Sequence, residues 1–232
     1  MTQQHSIVKG DALQKISSVG FIAAAILMVI GNLLMPFTTT PTSDLQEMLK
    51  PLGENEFRTE ASSLLITIGF LAMMIGVAGV YRSITAGGMA WARLGFYVLL
   101  VGTTLQVVSL SLDVATASAV GKWLAAPVDG KEAAWNVVVV LNAIGRGVIP
   151  ITWIVYWLAF VFLGIGMLGS AVYPRWLGWT GLILAMPVIA VGIIHAFTPR
   201  TTTITLAFVV LALLTNLWAL AVGIWVARRA WS

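Results

Sequence analysis

The stretch LGFYVLLVGTTLQVVSLSLDVATASAV, Leu94–Val120, decides the fold class. It is apolar almost throughout, and its one charged residue is Asp113. A helix needs about 20 apolar residues to cross a bilayer, and this run exceeds that. Similar runs occupy roughly 16–37, 62–82, 147–172, 176–197 and 203–227, with 92–120 third in chain order. Hydrophobic residues make up 59% of the chain, charged residues 9%, and the mean hydropathy is +0.95. A soluble domain carries about 25% charged residues, so most of this surface must face lipid. The expected architecture is an all-α integral membrane protein. It is a six-transmembrane-helix bundle forming one domain over 1–232, with the lipid bilayer as its first partner.

Several functions fall away on composition. The chain has no cysteine, which excludes disulfides, thiolate metal sites and cysteine nucleophiles. The net charge of +4 fits the basic inner loops of a membrane protein. No basic cluster is long enough for a nucleic-acid footprint. The run GIGMLG, Gly164–Gly169, matches G-x-G-x-x-G, but no strand precedes it. Gly166 and Ser170 lie four apart and suit close helix packing. Ser111, His195 and Asp113 can be written as a triad, yet no strained nucleophile turn accompanies them. Haem on His195 would need a methionine as second axial ligand, and no spacing supplies one. No catalytic residue, metal or cofactor is therefore assigned.

Lysine and arginine set the orientation. With the N-terminus inside, the inner segments carry Lys9, Lys15, Arg82, Arg93, Arg175, Arg228 and Arg229. The outer ones carry Lys50, Arg58, Lys122, Lys131 and Arg200, along with most of the acids. Both termini are expected in the cytoplasm, with an uncleaved first span. Trp91, Trp176, Trp179, Trp225 and Trp231 then form an inner aromatic belt. Of the outer segments, TSDLQEMLKPLG (Thr42–Gly53) predicts a short helix capped by Ser43, with Leu45, Met48, Leu49 and Leu52 on one face. It should lie on the outer membrane surface or over the bundle. In the segment from Lys131, Gly145, Gly147 and Pro150 mark a place to bend or break a helix about 60 Å long. That predicts either a protruding helix or a re-entrant piece.

Spans one, three and five open alike: KISSVGFIAAAIL from Lys15, ARLGFYVLLVG from Ala92 and RWLGWTGLILA from Arg175. Each has a basic residue and then an apolar-Gly-aromatic triplet centred on Gly20, Gly95 or Gly178. Either three hairpins share one plan, or one interface favours the same residue types each time.

Polar residues inside the spans are the candidate site. Asp113 and His195 each lie about 26 Å from the inner entrance at 1.5 Å per residue, near the outer edge of the hydrocarbon. An intramembrane carboxylate faces the bundle or water and has a partner, for which Arg146 is the natural candidate. One expectation is an ion pair locking spans three and four. The other is an outward-facing ligand pocket lined by Asp113, Arg146, His195, Asn142 and Asn32, with Glu60 at its rim and His195 responding to external pH. Trp153 and Trp157, one turn apart, pack, face lipid or cradle an apolar ligand.

The stretch YPRWLGWTGLILA, Tyr173–Ala185, resembles a signature of a bacterial six-span membrane protein family of unknown function, through its Pro174–Trp179 motif. The hydropathy layout is similar over most of the chain. The resemblance implies a bacterial plasma-membrane location and supplies no site residues. A non-enzymatic binding or accessory subunit of a membrane complex is the expected role. A small-solute transporter with an outward-facing polar vestibule is the alternative, and an intramembrane enzyme the second alternative. Other membrane-protein subunits or an apolar ligand are the partners to expect.

Overall fold

A computed structural model describes residues 12–36, 42–198 and 201–231. Among these described residues seven α-helices follow in order: α1 Ala12–Leu34, α2 Leu45–Glu54, α3 Glu56–Ser83, α4 Met89–Ala125, α5 Lys131–Leu168, α6 Arg175–Phe197 and α7 Thr202–Ala230. All but α2 are long and apolar enough to cross a membrane. The all-α six-helix bundle read from hydropathy is the architecture observed.

Lipid is as apolar as leucine, so spans associate through close backbone approach and interhelical hydrogen bonds. Helix α1 shows how this sorts residues. Ile16, Val19, Ile26, Ile30 and Leu33 are exposed, while Ser17, Gly20, Phe21, Ala24 and Gly31 are buried. Small residues of α1 meet small residues of α3. Ser17 Oγ donates to Gly76 O at 2.6 Å, and Ser62 Oγ donates to Gly31 O at 2.7 Å. Gln14 Nε2 adds a third bond to Gly79 O at 3.0 Å. A Cβ on Gly20 would stand 2.8 Å from Gly76 N. Gly95 brings α4 as close to α5, where a Cβ would meet Ala159 O and Leu163 N at 3.0 Å.

The third pair departs from the three-hairpin expectation. Helix α6 packs mainly on α5 and α7 mainly on α1. Gly178 of α6 opposes Gly164 of α5. Trp218 of α7 lies over Gly181 and donates its Nε1 to Leu177 O at 2.9 Å, a hydrogen bond that ties α6 to α7. The six spans thus close into a ring in the order α1, α3, α4, α5, α6, α7, with α6 joining α5 to α7.

Two helices outgrow the bilayer. Helices α4 and α5 have 37 and 38 residues, about 56 Å each at 1.5 Å per residue. The hydrocarbon core is about 30 Å thick. Pro150 lies inside α5, which stays helical from Lys131 to Leu168. Of the two expectations for this segment, the protruding helix is the one observed, and the re-entrant piece is not. Proline removes one hydrogen bond, and membrane helices tolerate this where neighbours satisfy the freed groups.

Helix α2 covers the bundle end opposite the termini. Its N-cap is Asp44, not Ser43. The Asp44 carboxylate accepts from Gln46 N at 2.8 Å and Glu47 N at 3.4 Å, and two donors favour a carboxylate over a hydroxyl there. Met48, Leu49 and Leu52 are buried, as the periodicity predicts. Leu49 and Leu52 join Ala117 and Val120 of α4 and Val138 of α5 in a second hydrophobic cluster. Asp44→Ala should cost about 1 kcal/mol. It should appear as faster amide exchange confined to α2, and unchanged exchange there would show that the cap contributes nothing.

At the other end the first and last helices meet, with Lys15 Nζ 4.9 Å from the Trp231 ring. Ser83 Oγ and Tyr173 Oη share a hydrogen bond of 2.6 Å. Trp225 stands between Tyr173 and the Arg229 guanidinium, at 4.8 and 4.3 Å. Burial pushes the Tyr173 phenol above its ordinary range, outweighing the lowering effects of Ser83 and Arg229.

Candidate functional site

Inside the ring, in the half covered by α2, lies a cavity of about 130 Å³. One water needs about 10–15 Å³ on such a measure, so the space is several-fold larger than a packing defect. Helices α1, α2, α3, α4, α5 and α7 line it, and α6 does not. Its lining runs along α7 from Thr202 to Asn216, about 21 Å at 1.5 Å per residue. The chamber is therefore elongated along the helix axes.

Its walls are mostly apolar and soft. Met28, Met35, Met48 and Met73 line it together with Phe70, Trp153, Trp157, Phe160 and Phe208. Unbranched thioethers adapt to irregular shapes. The α5–α7 side is closed by rings. Trp153 stacks on Phe208 with centroids 3.8 Å apart and planes 7° apart. Trp157 meets Phe208 edge-on at 5.3 Å and donates its Nε1 to Thr215 Oγ1 at 3.3 Å. Both tryptophans singled out in the sequence are buried and line the chamber.

Polar groups sit at its two ends. Asn32, Asp113, Thr202 and Thr205 lie toward α2. Tyr156 lies deeper, where Gly102 lets α4 approach its backbone, and Gln106 stands on the next turn of α4. Gln106 is 5% exposed and Tyr156 2%. Neither Gln106 Nε2 nor Tyr156 Oη has a hydrogen-bond partner among the described residues. A buried polar group left in this way costs about 1–3 kcal/mol, and native proteins hold few of them.

The structure divides the six candidate residues. Asp113 and Asn32 reach the chamber, although Asn32 Nδ2 also donates to Met28 O at 2.7 Å within its own helix. Asn142 joins Asp113 in a small adjoining cleft of about 10 Å³. His195 is buried one ring behind the wall, 5.3 Å from Trp153, and does not line the chamber. Arg146 and Glu60 are exposed and also lie outside the lining. The expected Asp113–Arg146 ion pair is not formed. Asp113 is engaged by other interactions, and the ion pair among the described residues is Lys50–Glu54, at 3.5 Å. Arg146 shares an exposed stripe of α5 with Ala143, Ile144 and Gly147, which turns it away from α4.

Sequence reasoning did not pick out Gln106, Tyr156 or Asn216, although each lies within a span. Gln106 had a usable signal: it stands one helical turn after Gly102, on the face that approaches α5. No family model, curated protein or solved structure matches the chain.

Proposed function

We propose that this chain is a non-enzymatic membrane protein that binds a lipid-soluble molecule in the chamber under α2. It acts as a binding protein or as the ligand-holding accessory subunit of a membrane complex. The observation that carries this reading is the elongated, methionine- and aromatic-lined cavity within one half of the bilayer-spanning bundle. Ligand pockets are mostly apolar concavities with a few placed polar groups. The proposed setting is a bacterial plasma membrane with both termini cytoplasmic, in keeping with the loop charges and the Pro174–Trp179 motif. The chamber then opens its polar end, with Asn32 and Asp113, toward the outer leaflet. A small-solute transporter is the second reading. It is favoured by Pro150 in α5 and Pro187 in α6, which offer places for helices to flex.

The test is extraction of bound molecules from protein purified in mild detergent. Wild type should carry a lipid-soluble species near one per chain. Ala212→Phe, which fills the chamber from α7, should lose it while keeping its thermal stability. Equal recovery from both proteins would refute the chamber as its location.

A further inference from the structure

The polar groups at the deep end of the chamber say more about the occupant than its apolar walls do. An unpartnered N–H of Gln106 can only donate, and an unpartnered phenol of Tyr156 can donate. Both side chains line the chamber, on neighbouring turns of α4 and α5, but both donor atoms are covered by their neighbours, so each must turn toward the chamber to meet a ligand. A carbonyl oxygen has two lone pairs and can accept from both at once. A hydrocarbon tail placed there would seal the two donors away from any partner.

We propose that the deep end of the chamber is a carbonyl-binding site, with Gln106 and Tyr156 as the specificity residues. The ligand class is a neutral, lipid-soluble ketone, quinone or amide whose carbonyl lies well inside the membrane, with its apolar body against Met73, Trp157 and Phe160. This rests on the chamber being a binding site and adds what it selects. The rim residues do not carry the selection, because Asp113, Thr202 and Thr205 already have interactions of their own. Selection by a buried donor is sharp, since an analogue without the acceptor leaves the donor unsatisfied.

The test uses the full chain in lipid nanodiscs and two fluorinated probes of one shape, 4-fluoroacetophenone and 4-fluoro-α-methylstyrene. They differ in C=O against C=CH₂. Fluorine NMR titration gives each affinity, corrected for partition into empty nanodiscs. The ketone should bind about fivefold more tightly per hydrogen bond gained. Tyr156→Phe and Gln106→Met should each erode that preference, and the double variant should abolish it, with alkene binding unchanged. If Gln106→Met does not fold, Gln106→Asn withdraws the amide by one methylene and serves instead. The bound ketone should also show a lowered carbonyl stretch that returns toward its free position in the double variant. Equal affinities in wild type, or a preference that survives the double variant, would overturn the carbonyl site and leave the chamber standing. Waters satisfying both donors would give that result. If neither probe binds, the chamber reading falls and the carbonyl site with it.

Discussion

Gly20→Ala should destabilise the bundle by about 1–3 kcal/mol, while the same change at Gly147 should leave it unaltered or up to about 1 kcal/mol more stable. The new methyl group at residue 20 would lie 2.8 Å from Ala72 O and from Gly76 N. Those are backbone atoms of α3 and cannot rotate away, so the two helices must separate. Separation also lengthens the Ser17–Gly76 bond of 2.6 Å beside them. At Gly147 a Cβ meets nothing within 4 Å, and only the helix-propensity gain remains. Gly178→Ala should resemble Gly20→Ala, since its methyl group would lie 2.8 Å from Gly164 O. Thermal aggregation in detergent reads all three. Equal midpoints for the Gly20 and Gly147 variants would show that glycine contacts do not hold these helices together.

Trp153→Ala should cost about 3–5 kcal/mol, in the range for removing a buried tryptophan. Its indole contacts Phe208 of α7 at 3.8 Å and His195 of α6 at 5.3 Å. It is therefore a wedge serving three helices as well as a wall of the chamber. Trp153→Phe keeps an aromatic ring there and should cost roughly a third as much. Detergent-to-SDS unfolding would measure both. An alanine variant within 1 kcal/mol of wild type would mean that the α5–α6–α7 junction is held elsewhere.

Depth along a helix was legible in this sequence, and direction around it was not. The spans, and the buried face of α2, follow from hydropathy and from Met48, Leu49 and Leu52. Asp113 and Asn32 also follow, because a polar side chain in lipid-facing surroundings must turn inward. The errors share one cause. In a soluble helix polar residues mark the outside, but here both faces of α5 and α6 are apolar, so nothing marked Arg146 as outward or His195 as lying behind Trp153. The Asp113–Arg146 pairing rested on an outer position, on spans three and four lying side by side and on the glycines flanking Arg146, none of which gives direction around a helix. At Pro150 the sequence left a protruding helix and a re-entrant piece open, and the helix is observed because neighbouring helices can support an interrupted hydrogen-bond ladder that would break in water. Gln106 and Tyr156 were missed because uncharged residues scarcely disturb an apolar run. What sets them apart is a lack of partners, which only the packed structure displays.

The overlong α4 and α5 place one pair of helices in two solvents. Within the bilayer they are held by close packing, where apolar surface gains nothing by leaving oil for protein. At the end covered by α2, the small cluster of Leu49, Leu52, Val120 and Val138 packs apart from the main core, and where such a cluster excludes water its cohesion carries the heat-capacity signature of hydrophobic burial. Cold and urea weaken that kind of cohesion and barely reach the other. The molecule can accordingly lose its cap and keep its spans. The state so formed would be a membrane protein with its chamber uncovered, populated by conditions on one side of the membrane alone.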